Sequence, residues 1–272
     1  MTVLLIGLLL SGCSNFFFYP ATRHLQSPSA YALPYEDVQL LADDGTQLHA
    51  WFLPATQKPK GSLLFLHGNA ENVSTHIENI HWLPGAGYHV LLLDYRGFGL
   101  SHGVPKLPDV FWDINAAVDW MNRSVQTKEQ PFFIIGQSIG ASLMLHNAAQ
   151  NAGNQQLCGL ISDAAFARYR HIAAHIASQS WVTWPFHFPL FWRFYNQYDP
   201  VDGVAKLPET PILFFHSKDD QIIPFANLDL LVKNHPGYHQ RVITSGRHTA
   251  TFMSLSNRQI MLEFLSQQNC SS

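Results

Sequence analysis

The sequence predicts an α/β fold in which a mostly parallel central sheet is covered by helices on both faces. Short, wholly apolar runs recur along the chain, as expected of strands that are buried on both sides. Helical patterns separate these runs, which favours parallel pairing through crossover helices. The chain has 272 residues, 47% of them hydrophobic, which is enough for one sizeable core.

The first predicted element is a hairpin in VQLLADDGTQLHAWFLP, where two runs flank a turn at Asp44 and Gly45. In PDVFWDINAAVDWMNRS, apolar residues at helical spacing predict a helix with one buried face. The six apolar strands predicted after the hairpin are Ser62–His67, His89–Asp94, Phe132–Gly136, Leu157–Ser162, Ile212–His216 and Gln240–Thr244. We assign residues 36–272 to one domain.

Residues 165–206 form an unusually long connection between two predicted strands. Its middle, WVTWPFHFPLFWRFYNQY, is dense in aromatic residues, and its prolines prevent one continuous helix. We interpret the segment as a small aromatic lid insertion, or alternatively as helices that only cover the sheet. The aromatic density favours a wall that faces an apolar pocket or lipid, with Trp181, Trp184 and Trp192 as candidate pocket residues.

The stretch FFIIGQSIGASL places a serine where an apolar run stops. Phe132–Ile135 is typical of a buried strand, and from Leu143 the apolar residues resume at helical spacing. Gly136 and Gly140 tolerate close backbone approach at the bend, and Ser138 at its tip is a candidate nucleophile. Strand, tight turn and helix therefore predict a nucleophile elbow, although G-x-S-x-G also occurs by chance in turns.

A serine nucleophile needs a base and an acid that orients the base, and both residue types follow later strands. Asp219 and Asp220 come after PILFFH, and His248 follows QRVITS in a loop that a glycine precedes. The chain order Ser, Asp, His fits this type of sheet, whose parallel strands bring their carboxyl ends to one edge. We therefore predict that these side chains meet there.

A developing oxyanion needs two hydrogen-bond donors. One is expected from the backbone N–H of Ile139, directly after the nucleophile. The other is expected from the loop HGNAEN, where Gly68 lets the chain turn. We assign that donor to the N–H of Asn69, with Ala70 as the second option, and interpret His67 as structural.

These motifs, together with LLLDYRGFGLSHG and HSKDDQIIP, resemble the α/β-hydrolase superfamily. The resemblance extends from the hairpin to the C-terminus. It is closest to single-domain serine hydrolases with an H-G-N-A oxyanion loop, a group that includes depalmitoylating thioesterases and bacterial lipoproteins. It implies the α/β-hydrolase fold and a catalytic triad that contains Ser138 and His248.

The resemblance also distinguishes between the candidate acids. In that family the acid is followed by one residue, two β-branched apolar residues and often proline, which fits Asp220 and not Asp219. Asp163 is the competing acid, because some members place it after the preceding strand. The stretch Asp94–Arg96 corresponds to a structural turn of the family and is assigned no chemistry.

The N-terminal sequence MTVLLIGLLLSGC contains an apolar run, Val3–Leu10, that is shorter than the ~20 residues of a membrane span but suits a signal peptide. It ends in Leu-Ser-Gly-Cys, which resembles a bacterial lipoprotein signal whose cysteine, here Cys13, is acylated. No basic residue precedes the run, so an apolar helix with an incidental cysteine is the alternative. The resemblance implies a signal peptide over residues 1–12, a tether and arm over residues 13–35, and a lipid anchor in the bacterial envelope. Ser14 favours the outer membrane.

Composition argues against several other partners. The net charge is −3 and no basic block is present, so nucleic acid is not expected. His171 and His175 are four residues apart but lack the glutamate of a zinc-binding helix, so we expect neither a metal nor a cofactor. If Cys13 carries lipid, export to an oxidising compartment would permit a disulfide between Cys158 and Cys270, but we expect two free thiols.

The favoured function is hydrolysis of a carboxylic ester or thioester with an apolar acyl group, through an acyl-enzyme on Ser138. Acyl transfer to an alcohol shares that intermediate and is the first alternative. A non-catalytic, envelope-associated binding protein is the second, and the intact Ser-Asp-His set argues against it.

Overall fold

The structure, a computed structural model, describes residues 17–150, 157–179, 196–207 and 209–268. Its strands are β1 (Glu36–Leu41), β2 (Gln47–Leu53), β3 (Gly61–Leu66), β4 (Tyr88–Leu93), β5 (Phe132–Gln137), β6 (Leu157–Asp163), β7 (Ile212–Ser217) and β8 (His239–Thr244). Its helices are α1 (Val73–His76), α2 (Val110–Arg123), α3 (Ile139–Gln150), α4 (Tyr169–Ser178), α5 (Pro200–Val204), α6 (Ala226–Asn234) and α7 (Leu255–Gln267). This α/β architecture confirms the predicted fold class.

The eight strands form one sheet in the order β1-β2-β4-β3-β5-β6-β7-β8. β2 pairs antiparallel with β1 and with β4, and the pairs from β4 through β8 are parallel. The predicted hairpin joins β1 and β2 at Gly45, whose φ of +84° lies in the left-handed region. Because β5, β7 and β8 are parallel, the loops after them gather at one edge of the sheet.

Both faces of the sheet are buried. In β3, Leu63 and Phe65 belong to the apolar core on one face, while Leu64 and Leu66 belong to the core on the other. This two-sided burial explains why the strands appear in the sequence as unbroken apolar runs. The six strands predicted after the hairpin agree with the structure to within one residue at each end.

The N-terminal arm, residues 17–35, packs on the domain. Phe17 contacts Tyr169 edge-on with ring centroids 5.1 Å apart, and Phe18 contacts Phe98 in the same manner at 6.4 Å. Further along, the Gly99 N–H donates to the Ala21 carbonyl at 2.9 Å. The arm is therefore part of the folded domain from Phe17 onward, and residues 13–16 of the predicted tether lie outside the described residues.

Cys158 at the start of β6 is disulfide-bonded, so the expectation of a free thiol there was wrong. A thiol at the mouth of an apolar strand is indistinguishable in sequence from one that pairs, because pairing depends on tertiary proximity. Cys13 and Cys270 lie outside the described residues. None of the helices in the described part of the chain combines the length and apolar character that a membrane span requires.

Candidate active site

Ser138 lies at the tip of a sharp turn between β5 and α3. Its φ of +56° is in the left-handed region, which costs a non-glycine residue free energy and is common at functional sites. The neighbouring glycines make the turn sterically feasible. A Cβ on Gly140 would lie 2.2 Å from the Leu66 carbonyl oxygen, and one on Gly136 would lie 2.5 Å from the Ala141 Cα. The predicted elbow is therefore present as strand, turn and helix.

His248 lies between Ser138 and Asp220. Its Nε2 is 2.9 Å from the Ser138 Oγ, and its Nδ1 is 2.7 Å from the Asp220 Oδ2. With Nδ1–H donating to the carboxylate, Nε2 carries the lone pair that accepts the serine hydroxyl proton. The imidazole is 14% exposed and the carboxylate is fully buried, so solvent reaches the histidine but not its acid partner.

The Asp220 carboxylate is held in place on both oxygens. Its Oδ1 accepts hydrogen bonds from the backbone N–H groups of Ile222 and Ile223, each at 2.9 Å. Burial alone would raise the pKa of Asp220, but the hydrogen bond from His248 and these backbone donors outweigh burial and lower it. The two N–H donors come from the isoleucines that the family spacing singled out, which gives that spacing a physical reason.

The other two candidate acids have different partners. Asp219 is exposed, and its Oδ2 accepts from the Gly246 N–H at 3.1 Å. Asp163 is buried and accepts from the Thr251 hydroxyl at 2.7 Å and from the Gln137 side-chain amide at 2.8 Å. Burial raises the pKa of Asp163 to about 6 despite those two hydrogen bonds. Neither carboxylate accepts a hydrogen bond from His248 among the described contacts.

The predicted oxyanion loop lies against the nucleophile. A Cβ built on Gly68 would lie 3.6 Å from the Ser138 Cβ, within van der Waals contact, which shows how close the loop comes to the nucleophile. The Ala70 N–H donates to the Asn69 side-chain oxygen at 2.9 Å, which removes the second-option donor from use. Ile139 is the first residue of α3, where backbone N–H groups have no partner within the helix. The assignment of the two donors to the N–H groups of Asn69 and Ile139 stays a prediction.

A groove of about 470 Å³ opens beside His248. Its lining comes from the loops after β7 and β8: Asp219, Gln221, Ile222, Arg247, His248 and Thr249. The predicted pocket residues Trp181, Trp184 and Trp192 lie outside the described residues, so their assignment stays a prediction.

The sheet topology and the elbow coincide with a known fold. The esterase Pf2001 of Pyrococcus furiosus superimposes with a TM-score of 0.74 at 18% identity, covering 93% of this chain and 98% of that one. Residues 57–187 match the family model described as serine aminopeptidase, S33. The chain therefore has the α/β-hydrolase fold.

Two curated proteins are similar to a larger part of the chain than the matched segment. The chain is 29% identical to the uncharacterized protein YfhR of Escherichia coli K12 over 221 residues, 80% of this chain and 73% of YfhR. It is 24% identical over 253 residues to the alpha/beta hydrolase domain-containing protein WAV2 of Arabidopsis thaliana, 87% of this chain and 78% of WAV2.

Two features of this structure are absent from the sequence prediction. The Tyr19 N–H of the arm donates to the Asn69 side chain at 2.9 Å, so the arm contacts the oxyanion loop. His24, His49 and Asp94 also come together in one cluster that could hold a metal ion. The three residues are far apart in the chain, and no local spacing could have indicated them.

Proposed function

We propose that the protein is a serine hydrolase that cleaves a carboxylic ester or thioester with an apolar acyl group through an acyl-enzyme. The observation that carries this proposal is the continuous hydrogen-bond chain from Ser138 through His248 to Asp220, at 2.9 and 2.7 Å. Nucleophile, base and orienting acid stand in the order that acyl transfer requires.

In the first half-reaction, His248 Nε2 accepts the proton of the Ser138 hydroxyl as Oγ bonds to the acyl carbon. The carbonyl oxygen becomes an oxyanion, and we assign its stabilisation to the N–H groups of Asn69 and Ile139. Collapse of this intermediate expels the alcohol or thiol, which takes the proton from His248. Water then attacks the acyl-enzyme with His248 again as base, releasing the acid and free Ser138.

Apolar acyl specificity rests on the aromatic segment between α4 and α5, which the sequence predicts to line the pocket. Each buried methylene contributes about 0.8 kcal/mol, or roughly fourfold in kcat/KM. Butanoyl to octanoyl esters are therefore expected to react faster than acetyl esters. Equal kcat/KM for acetyl and octanoyl esters would mean that the segment covers the sheet and does not line the acyl pocket.

We further propose that the protein is a lipoprotein of the bacterial cell envelope, anchored through Cys13. Support comes from the apolar run before Leu-Ser-Gly-Cys and from the disulfide at Cys158. Disulfides persist in oxidising compartments such as the periplasm and are rare in the cytosol.

The test is labelling by a fluorophosphonate probe combined with turnover of the acyl-ester series. Ser138→Ala is expected to abolish both signals. Ser245→Ala is the matched control, because this exposed serine lies in the loop of His248 but outside the hydrogen-bond chain. Labelling of Ser138→Ala at the wild-type level would overturn the proposal.

Acyl transfer is tested in the same assay by adding glycerol. An acyltransferase would convert the acyl-enzyme mainly to acylglycerol, whereas the proposed hydrolase releases free acid as its main product.

A further inference from the structure

We propose a Zn²⁺ site formed by His24 Nε2, His49 Nδ1 and Asp94 Oδ2, outside the triad and independent of the proposed hydrolase function. His24 comes from the N-terminal arm, His49 from β2, and Asp94 follows β4 directly. We expected no metal because the sequence shows no metal-binding spacing of histidines. The three residues of this cluster are far apart in the chain and meet only in the fold.

The distances suit a zinc ion. Zn²⁺ binds histidine nitrogen and carboxylate oxygen at about 2.0–2.2 Å in tetrahedral sites, which places ligand atoms roughly 3.4 Å apart. Here His24 Nε2 is 3.0 Å and His49 Nδ1 is 3.7 Å from Asp94 Oδ2, and all three atoms lie within 4.8 Å of one another. Small shifts of the side chains would thus place the three donors around one ion.

An unpartnered nitrogen points into the cluster. His49 is 1% exposed, and its Nδ1 is buried without a hydrogen-bond partner among the described residues. Its other nitrogen, Nε2, lies 2.7 Å from Asp37 Oδ1 and donates its proton there. That tautomer leaves a lone pair on Nδ1, which faces the Asp94 carboxylate. A cation bound between these two groups would remove the repulsion between the lone pair and the negative charge.

The surroundings match those of metal-binding histidines. Such histidines usually donate their second ring N–H to a carboxylate, which orients the ring and strengthens the ligand. Asp37 supplies that carboxylate and is itself held by the Trp51 indole N–H at 3.0 Å. The Val73 N–H donates to Asp94 Oδ1 at 2.9 Å, which leaves Oδ2 for the metal. Together, the carboxylates of Asp94 and Asp37 balance the charge of a divalent ion.

Gly99 leaves space for the cluster. A Cβ at this position would lie 1.9 Å from Asp94 Oδ2 and 2.6 Å from His24 Nε2, so any side chain would displace two of the three ligands. The His24 side chain is 16% exposed, which gives a water molecule access to the fourth coordination position.

The experiment is equilibrium dialysis of the untagged, chelator-treated full chain against Zn²⁺, with bound metal measured by mass spectrometry. We expect one equivalent in the wild type and a thermal midpoint that rises with Zn²⁺ concentration. His24→Gln should weaken binding at least ~100-fold, and Asp37→Asn, at a largely exposed carboxylate, by about 10–100-fold. His102→Gln, an exposed histidine nearby, is the matched control and should bind as wild type.

Two outcomes would overturn the proposal. Wild type that binds no Zn²⁺ would show that the cluster is an ion-pair network of protonated histidine and carboxylate. Equal binding by wild type, His24→Gln and Asp37→Asn would place the zinc on other histidines. Asp37→Asn keeps the test decisive if His24→Gln fails to fold, and fluorophosphonate labelling reports the fold of each variant separately from its metal.

Discussion

At the scale of single residues, the loop after β7 gives two adjacent carboxylates different partners. Asp220 accepts from His248, whereas Asp219 accepts from the backbone of Gly246. Asp220→Asn should lower kcat by about 10⁴, because the amide cannot hold the imidazole in its reactive tautomer. Asp219→Asn keeps an oxygen acceptor for Gly246 and should cost less than about threefold. Steady-state hydrolysis of a butanoyl ester measures both.

Circular dichroism of both variants serves as the control for folding. If Asp219→Asn loses its activity while Asp220→Asn stays near the wild-type level, the catalytic acid is Asp219 and not Asp220. Normal activity of both would transfer the role to Asp163.

The raised pKa of Asp163 predicts how the stability of the protein depends on pH. Burial raises this pKa from the ordinary value of 3.8 to about 6 in the native state, so the native state binds the proton more tightly than the unfolded state does. The stability this gives is fully present below pH ~4 and is lost as pH rises to about 6, by about 3 kcal/mol at most. Asp163→Asn removes the titration and leaves an oxygen acceptor for Thr251, while the unpartnered Gln137 Oε1 can accept from the new amide.

Chemical denaturation of wild type and Asp163→Asn from pH 4 to 7 measures this effect. The variant is expected to gain stability relative to wild type across that range and to keep its esterase activity. Parallel stability curves would contradict the raised pKa.

At the scale of elements, the contact between the nucleophile elbow and β3 leaves no room for a side chain. Gly140→Ala would place a methyl group 2.2 Å from the Leu66 carbonyl oxygen and 2.4 Å from that of His67, where only backbone movement gives relief. We expect a loss of at least about 3 kcal/mol in unfolding free energy and a displaced Ser138. Gly85→Ala, with no atom within 4 Å of its Cβ, should be nearly neutral. Thermal melts of the pair test this, and equal melting temperatures would refute it.

Hydrogen bonds from Asn72 attach the N-terminal arm to the oxyanion loop. Asn72 caps α1 by accepting from the Ser74 N–H, and its amide donates to the carbonyls of Ala21 and Arg23 in the arm. Asn72→Ala should cost about 1 kcal/mol for the cap and about 1–3 kcal/mol for the buried carbonyls it leaves unpaired. The melting temperature should fall by about 5–10 °C.

Limited proteolysis adds a local readout, since the arm should be cleaved before the domain unfolds. Asn234→Ala, at the exposed C-terminal end of helix α6, is the control and should behave as wild type. An Asn72→Ala variant whose arm resists cleavage would show that other contacts suffice to hold it.

The elements that sequence reasoning predicted are those fixed by local pattern. Strand β5 and the turn at Ser138 are visible because two-sided burial and steric crowding each demand particular residue types. The arm's contact with Asn69 and the meeting of His24, His49 and Asp94 were not predictable. They depend on side chains from distant parts of the chain, and β4 inserts between β2 and β3 without any local mark in the sequence. The catalytic roles of Ser138, His248 and Asp220 remain predictions that the geometry supports.

At the scale of the whole molecule, the composition and the cysteines bear on the cellular compartment of the protein. Charged residues make up only 13% of the chain, against about 25% in typical soluble domains. A disulfide at Cys158 requires one of the two other cysteines, Cys13 or Cys270, as its partner within the chain. The lipid-anchor proposal therefore requires that Cys158 pairs with Cys270.

Cys13→Ser should release the protein from membranes to the soluble fraction while its hydrolase activity persists. The physical reason is that a lipoprotein-type cysteine carries two or more acyl chains, and one chain alone gives only marginal membrane binding. Fractionation of cells, with incorporation of labelled fatty acid, measures the effect. Cys270→Ser is the matched control and should stay on the membrane with its lipid, while non-reducing peptide mass spectrometry shows its Cys158 as a free thiol. A disulfide between Cys13 and Cys158 in the wild type would overturn the anchor, because an acylated cysteine cannot also cross-link.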